Sequence, residues 1–166
     1  MLFEVMELVE MKIRNFLEQD KETCVVIANE AFEDEIQRGM PVFTEEYFIK
    51  RGVMNGVKLV VAYEERVIGF MLLTDAKVQV PAQLHLVAMD KQYRGKGIGK
   101  KLVQYAVDYT LENGWVKLKL STRPWNKAMR KICSDLGFNE EVLLRKEYLG
   151  EDLIQYGYFP SKNIDK

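Results

Sequence analysis

The chain has 166 residues, of which 48% are hydrophobic and 30% charged, with a formal net charge of −1. Such a balance describes an ordinary globular domain, argues against a disordered charged tail and gives no reason to expect a nucleic-acid partner. Cys24 and Cys133 are the only cysteines, too few for a disulfide framework, so a reducing, cytoplasmic setting is expected.

Residues Met1–Glu10 contain Glu4, Glu7 and Glu10 and no basic residue, unlike a signal peptide, and either extend the first strand or lie outside the core. The stretch Met11–Phe16 alternates as a strand does. Asp20 to Phe32 reads as a helix with Val25, Ala28 and Phe32 on one face. Glu33-Asp34-Glu35 follows, then a loop with Gly39 and Pro41. Thr44 opens a second helix that ends near Asn55-Gly56. Val57–Tyr63 and Arg66–Thr74 form a hairpin across Glu64-Glu65. The longest apolar stretch, Val67–Leu73, spans seven residues, well short of the ~20 a membrane span needs. A strand follows Pro81, from Gln83 to Met89. A helix then carries Ile98, Leu102, Tyr105, Ala106 and Tyr109 on one face and stops at Asn113-Gly114. Trp115–Leu120 reads as a strand. The next helix puts Met129, Ile132, Cys133 and Leu136 on one stripe and ends at Gly137. Val142–Arg145 and Leu153–Tyr158 close the chain as an antiparallel pair. This order predicts an α/β fold, a mixed sheet of about seven strands covered by about four helices.

The run Gln92-Tyr93-Arg94-Gly95-Lys96-Gly97-Ile98-Gly99-Lys100-Lys101 carries the chemistry. It joins a strand to a helix, and its glycines leave backbone N–H groups uncovered at the helix N-terminus, where an anionic phosphate is favoured. Five basic residues (Lys91, Arg94, Lys96, Lys100, Lys101) and no acidic one lie between Lys91 and Lys101. A Walker A loop needs a glycine five residues before the Gly-Lys pair and Ser or Thr after it; Arg94 and Lys101 stand there instead. A dinucleotide fingerprint needs a glycine where Lys100 sits. A bare chain-reversing turn would need neither the one-sided charge nor the strand–loop–helix context.

Arg94-Gly95-Lys96-Gly97-Ile98-Gly99 matches the [RQ]-x-x-G-x-[GA] signature of the GNAT N-acetyltransferases, and Asn126 to Phe138, ending in Leu-Gly-Phe, resembles that family's second motif. The resemblance covers roughly Met11 to Tyr158 and implies one acetyltransferase-like domain over 1–166. It further implies acetyl-CoA as cosubstrate, no metal, and transfer of an acetyl group to a primary amine of a small molecule or peptide by direct attack in a ternary complex. By the same resemblance, the amides of Arg94, Gly95, Lys96, Gly97, Ile98, Gly99 and Lys100 hold the pyrophosphate. Val87, Ala88 and Met89 offer backbone to the pantetheine arm, and Asn126 and Lys131 contact the cofactor. A homodimer through the tyrosine-rich C-terminal strands is compatible with it.

Moving protons is a separate demand, because an amine of pKa about 10 must be deprotonated and the thiolate leaves. His85 is the only histidine, on a strand that carries the general base in some family members. Alternation puts it on one face with Gln83, Val87 and Met89, and a histidine satisfied by a neighbour is the competing reading. Cys133 stands where many members have the tyrosine that protonates the thiolate; its apolar stripe equally suits a small buried hydrophobe. Ser121 replaces a carboxylate found in some members. Tyr148 is a further acid candidate, and Arg145-x-x-Tyr148 is similar to a stretch of protein N-terminal acetyltransferases. The acceptor pocket in this fold points to Glu33, Asp34 and Glu35 and to Tyr148, Tyr156 and Tyr158, with the acidic residues suited to a cationic amine or simply forming a solvated face. A non-catalytic acyl-CoA sensor of the same fold and an ATP-binding regulator are the alternatives.

Overall fold

The computed structural model describes residues 10–161; apart from Glu10, the segment expected to extend the first strand lies outside them. The elements are β1 (Lys12–Asn15), α1 (Lys21–Ala31), α2 (Glu33–Gln37), α3 (Glu45–Val53), β2 (Val57–Glu64), β3 (Arg66–Thr74), β4 (Ala82–Met89), α4 (Ile98–Glu112), β5 (Leu118–Thr122), α5 (Lys127–Asp135), β6 (Asn139–Tyr148) and β7 (Glu151–Tyr158). The strands form one seven-stranded mixed sheet in the order β1-β2-β3-β4-β5-β7-β6. The expected fold is therefore present. The one additional helix, α2, holds the acidic run that follows α1, because its N–H groups from Ile36 onward close back on Phe32, Asp34 and Glu35.

Strands β2 and β3 are near-continuous apolar runs because both faces of the sheet are covered there. On one face, α4 and α5 pack Leu102, Val103, Ala106, Cys133 and Phe138 against Val60, Met71, Leu73, Leu118 and Leu120. On the other, α1 and α3 pack Cys24, Ile27, Ala28 and Phe48 against Leu59, Val61, Phe70 and Leu72. Phe48 is the hub of this second core: it is fully buried and meets Phe70 edge-on at 5.1 Å. Phe48→Ala should cost about 3–5 kcal/mol, which at roughly 2–4 °C per kcal/mol lowers the melting temperature by about 10 °C. Thermal denaturation measures this, and a fall under about 3 °C would show that the aromatic cluster contributes little.

Two departures from ideal pairing shape the middle of the sheet. Strand β4 pairs with β3 as Leu84↔Leu73 and Leu86↔Leu72, so His85 is an extra, unpaired residue, a β-bulge. Strand β4 also pairs with the parallel β5 only at Ala82↔Leu118 and Gln83↔Lys119. Beyond Gln83 the two strands diverge, and the β5-facing backbone of Leu84 to Met89 has no strand partner among the described residues.

The bulge corrects one expectation. Simple alternation groups His85 with Val87 and Met89. In the structure Ala82 and Leu84 pack with the α4–α5 core, as do Val87 and Met89, whereas Leu86 and Ala88 pack with the α1–α3 core. The extra residue reverses the facing of everything after it, so His85 keeps company with Gln83 and Thr74 instead.

Candidate active site

The glycine-rich loop begins at Asp90, whose Oδ1 accepts from the Gln92 N–H at 2.9 Å and whose Oδ2 accepts from Arg66 Nη2 at 2.8 Å. The Gln92 N–H and the Arg66 guanidinium hold this carboxyl below its usual range. The Asp90 N–H donates to the Ile68 carbonyl at 2.8 Å, tying the loop to β3. Gly95 and Gly97 take φ of 75° and 81°, the left-handed region that favours glycine. Gly97 begins α4 and no side chain caps that helix. Consequently the backbone N–H groups from Arg94 to Lys100 have no acceptor among the described residues. Gly99 is buried for a different reason: a Cβ there would stand 3.1 Å from Met89 Sδ and Cε, so a larger residue would require the Met89 side chain to give way.

The basic side chains around the loop are exposed at Arg94, Lys96 and Lys100. Lys100 Nζ lies 3.4 Å and Lys131 Nζ 3.0 Å from Asp135, whose carboxyl they hold below its usual range, Lys131 more strongly. Asn126 caps α5 by accepting the Met129 N–H at 3.1 Å. The loop thus follows directly on the diverging edge of β4 that carries Val87, Ala88 and Met89, and the C-terminal half of α5 meets the start of α4 through Asp135.

His85 is exposed on the α3 side of the sheet, its Nε2 2.9 Å from Thr74 Oγ1. Its pKa lies below the ordinary 6.5, first because the surrounding protein displaces water from the ring, then because Lys119 and Arg51 are positive. At neutral pH the imidazole is unprotonated and able to take a proton. Cys133 is fully buried, and burial pushes its thiol up to about 12. Such a group packs the core and is a poor proton donor near neutrality.

On β5, Lys119 and Ser121 share the face opposite Leu118, Leu120 and Thr122, and Arg123 follows directly after the strand's last residue. Arg123 is the centre of a cluster that sequence reading did not single out. Its Nη1 donates to Glu35 Oε1 at 2.6 Å, its Nε donates to Glu151, and Arg38 Nη1 is 3.0 Å from the other Glu151 oxygen. Trp125 and Tyr148 lie against the guanidinium, 5.7 and 5.3 Å from its carbon to the ring centroids. The Tyr148 hydroxyl donates to Met40 Sδ at 3.1 Å. Asp34, Glu35, Gln37, Arg38, Arg123, Trp125 and Glu151 line a cleft of about 250 Å³. The alternation Lys119–Ser121, carried on to Arg123, was the available signal.

Of the residues expected to meet the acceptor, Asp34 and Glu35 line this cleft. Glu33 is exposed beside it on α2, its Oε1 accepting weakly from Gln37 at 3.4 Å. Tyr156 is elsewhere: it is buried on the α4–α5 side, with its hydroxyl accepting from Arg130 Nε at 3.2 Å and donating to Glu140 at 3.3 Å. Its strand register explains this, because Tyr156 is opposite Leu120, an inward-facing residue of β5.

Residues 13–138 match the Acetyltransferase (GNAT) family. The chain belongs to the GNAT acetyltransferase family. Over 93 residues it is 29% identical to the [ribosomal protein bS18]-alanine N-acetyltransferase of Escherichia coli strain K12, a match covering 51% of this chain and 63% of that protein. Its fold is similar to that of an N-acetyltransferase from Staphylococcus aureus Mu50, with a TM-score of 0.79 and 21% identity over 90% of this chain and 98% of the other. It is also similar to PaiA N-acetyltransferase from Thermoplasma acidophilum, solved in complex with coenzyme A, with a TM-score of 0.71 and 18% identity over 90% and 99% of the two chains. These two structures establish the GNAT fold independently of sequence identity. Among the described residues no helix is long and apolar enough to cross a membrane.

Proposed function

We propose that this GNAT chain, acting as a single domain, transfers an acetyl group from acetyl-CoA to a primary amine of a small molecule or peptide by direct attack in a ternary complex. The observation that carries this reading is the run of free N–H groups from Arg94 to Lys100, continuous with the unpaired edge of β4. A diphosphate needs several converging donors at a helix N-terminus, and an extended arm carrying amides needs a free strand edge; both are present in sequence along one track. Arg94, Lys96, Lys100 and Lys131 supply positive charge around the phosphates, with Asp135 as the counter-ion that Lys100 and Lys131 leave. Asn126, at the head of α5, is assigned to the cofactor in the same reading.

In the reaction the amine nitrogen bonds to the thioester carbon, the carbon–sulfur bond breaks, the amine proton leaves to His85 directly or through water, and the thiolate takes a proton. Backbone N–H groups near the bulge in β4 serve the developing oxyanion. We assign the thiolate's proton to water or Tyr148, because Cys133 is sealed in the core. The named relative acts on a protein amine, which favours a peptide acceptor. We place the protein in the cytoplasm, a reducing setting compatible with two buried free cysteines. The uncovered edge of β6 is the surface for a homodimer. A second reading, an acyl-CoA sensor without turnover, is favoured by one observation: neither Ser121 nor the buried Cys133 replaces the chemistry of the residues it stands for.

Thermal unfolding with acetyl-CoA, CoA, ATP and NAD in parallel tests the binding half. A ligand at 100 times its dissociation constant adds about 2.7 kcal/mol, so acetyl-CoA and CoA should each raise the melting temperature by several degrees. Thiol release across an amine panel then separates enzyme from sensor. Stabilisation by ATP or NAD and none by CoA would overturn the family-based reading of the loop.

A further inference from the structure

Arg123 is held in a way that its structural contacts do not fully explain. Two of its three nitrogens are matched, Nη1 to Glu35 on α2 and Nε to Glu151 on β7. The rings of Trp125 and Tyr148 lie against the guanidinium. The third nitrogen, Nη2, is buried and has no hydrogen-bond partner among the described residues. A buried charged donor without an acceptor is rare, and its missing partner commonly arrives from outside the fold. The immediate cover is thin: Trp125 is 62% exposed and lines the cleft with Arg123. An outside acceptor reaches Nη2 only if a covering side chain moves, and Trp125 is the exposed ring against the guanidinium.

The position is informative as well. Arg123 lies two residues beyond Ser121 and one past the end of β5, no more than about 7 Å further along the chain. Ser121 borders the gap between β4 and β5, where the proposed reaction brings amine and thioester together. An oxygen on the carbon next to the amine-bearing carbon would fall between the gap and Arg123. The cleft's three carboxylates (Asp34, Glu35, Glu151) outnumber its two guanidiniums (Arg38, Arg123), a net negative balance that favours entry of a cationic amine.

Resting on the acetyl-transfer reading above, we propose that Arg123 sets acceptor specificity: its Nη2 donates to the oxygen of an α-amino-acyl acceptor, so that amines flanked by a carbonyl or carboxylate are acetylated in preference to alkylamines. The shared chemistry is an oxygen acceptor two bonds from the amine-bearing carbon. It is present in a peptide N-terminus as an amide and in a free amino acid as a carboxylate.

The test measures kcat/KM with acetyl-CoA for alaninamide, alanine and 2-aminopropane, which lacks the oxygen, in the unaltered protein, Arg123→Lys and Arg123→Gln. Amine basicity affects all three proteins alike, so the readout is the change in preference, not the preference itself. The preference for alaninamide or alanine over 2-aminopropane should fall about 10–100-fold in both variants, with acetyl-CoA stabilisation retained. A larger fall for alaninamide assigns the subsite to a peptide terminus, a larger fall for alanine to a free amino acid. An unchanged preference overturns the proposal while leaving acetyl transfer intact. Loss of acetyl-CoA stabilisation in both variants makes Arg123 a structural residue and overturns it too. Absence of turnover of any acceptor by the unaltered protein overturns the proposed reaction and this inference with it.

Discussion

Alanine in place of His85 is expected to lower the rate of acetyl transfer by about 10²–10⁴-fold, the usual contribution of a positioned general base, and to leave acetyl-CoA affinity unchanged. His85 projects from a bulge onto the α3 side of the sheet, so its side chain supports no core packing, and its removal should not disturb the fold. Its lowered pKa fixes the direction of the pH dependence. The active form is the neutral imidazole, so kcat/KM should rise with pH through a limb that lies below the ordinary 6.5. Lys119→Gln removes a positive neighbour, makes the imidazolium easier to form and should move that limb to higher pH. The same depressed pKa means that the folded chain holds fewer protons at His85 than the unfolded chain just below pH 6.5. Its contribution to stability is present above that value and is lost as the pH falls through the folded-state pKa. A His85→Ala protein with unaltered rate and pH profile would remove this residue from the mechanism.

Valine at Gly97 is expected to weaken acetyl-CoA binding by at least about 100-fold, or ~2.7 kcal/mol, as measured by isothermal titration calorimetry. Nothing crowds this position: no atom lies within 4 Å of where a Cβ would stand. The difficulty is conformational. At φ 81° an ordinary L-residue is strained by about 1–2 kcal/mol and a β-branched one by more. Relief comes by rotating the adjoining peptides, which turns the N–H groups at the head of α4 away from a common point. Alanine at Gly97 should therefore give a smaller loss than valine, and a Gly97→Val protein that binds within threefold of the original would show that these amides do not hold the ligand.

Much of this arrangement is legible from the order of residues. The loop was readable because three glycines and five basic residues coincide between a strand and a helix, and each of those features has one local cause. The seven strands were readable because apolar alternation and turn residues mark their ends. Strand β5 was placed three residues early, at Trp115, because Trp115 to Lys117 have strand-like composition but find no ladder partner. The bulge at His85 was not readable, since alternation counts residues and a bulge is defined by the partner strand. Tyr156 was assigned to the acceptor side by its position near the C-terminus, while its pairing with Leu120 settles the opposite face. The Arg123 cluster was hidden for a related reason: Glu35 and Arg123 are 88 residues apart in the chain, and no local pattern connects them.

The bulge also separates what position 85 tolerates from what it requires. Because the side chain is exposed and outside both cores, many residue types would fit there, and a substitution acts mainly on chemistry. Deleting the residue is a different event. The β4 ladder would close up, Val87 and Met89 would turn from the α4–α5 core to the α1–α3 core, and Gly99 would lose the methionine it is shaped to receive. The identity of residue 85 is thus a matter of chemistry, and the length of the strand that carries it is a matter of fold.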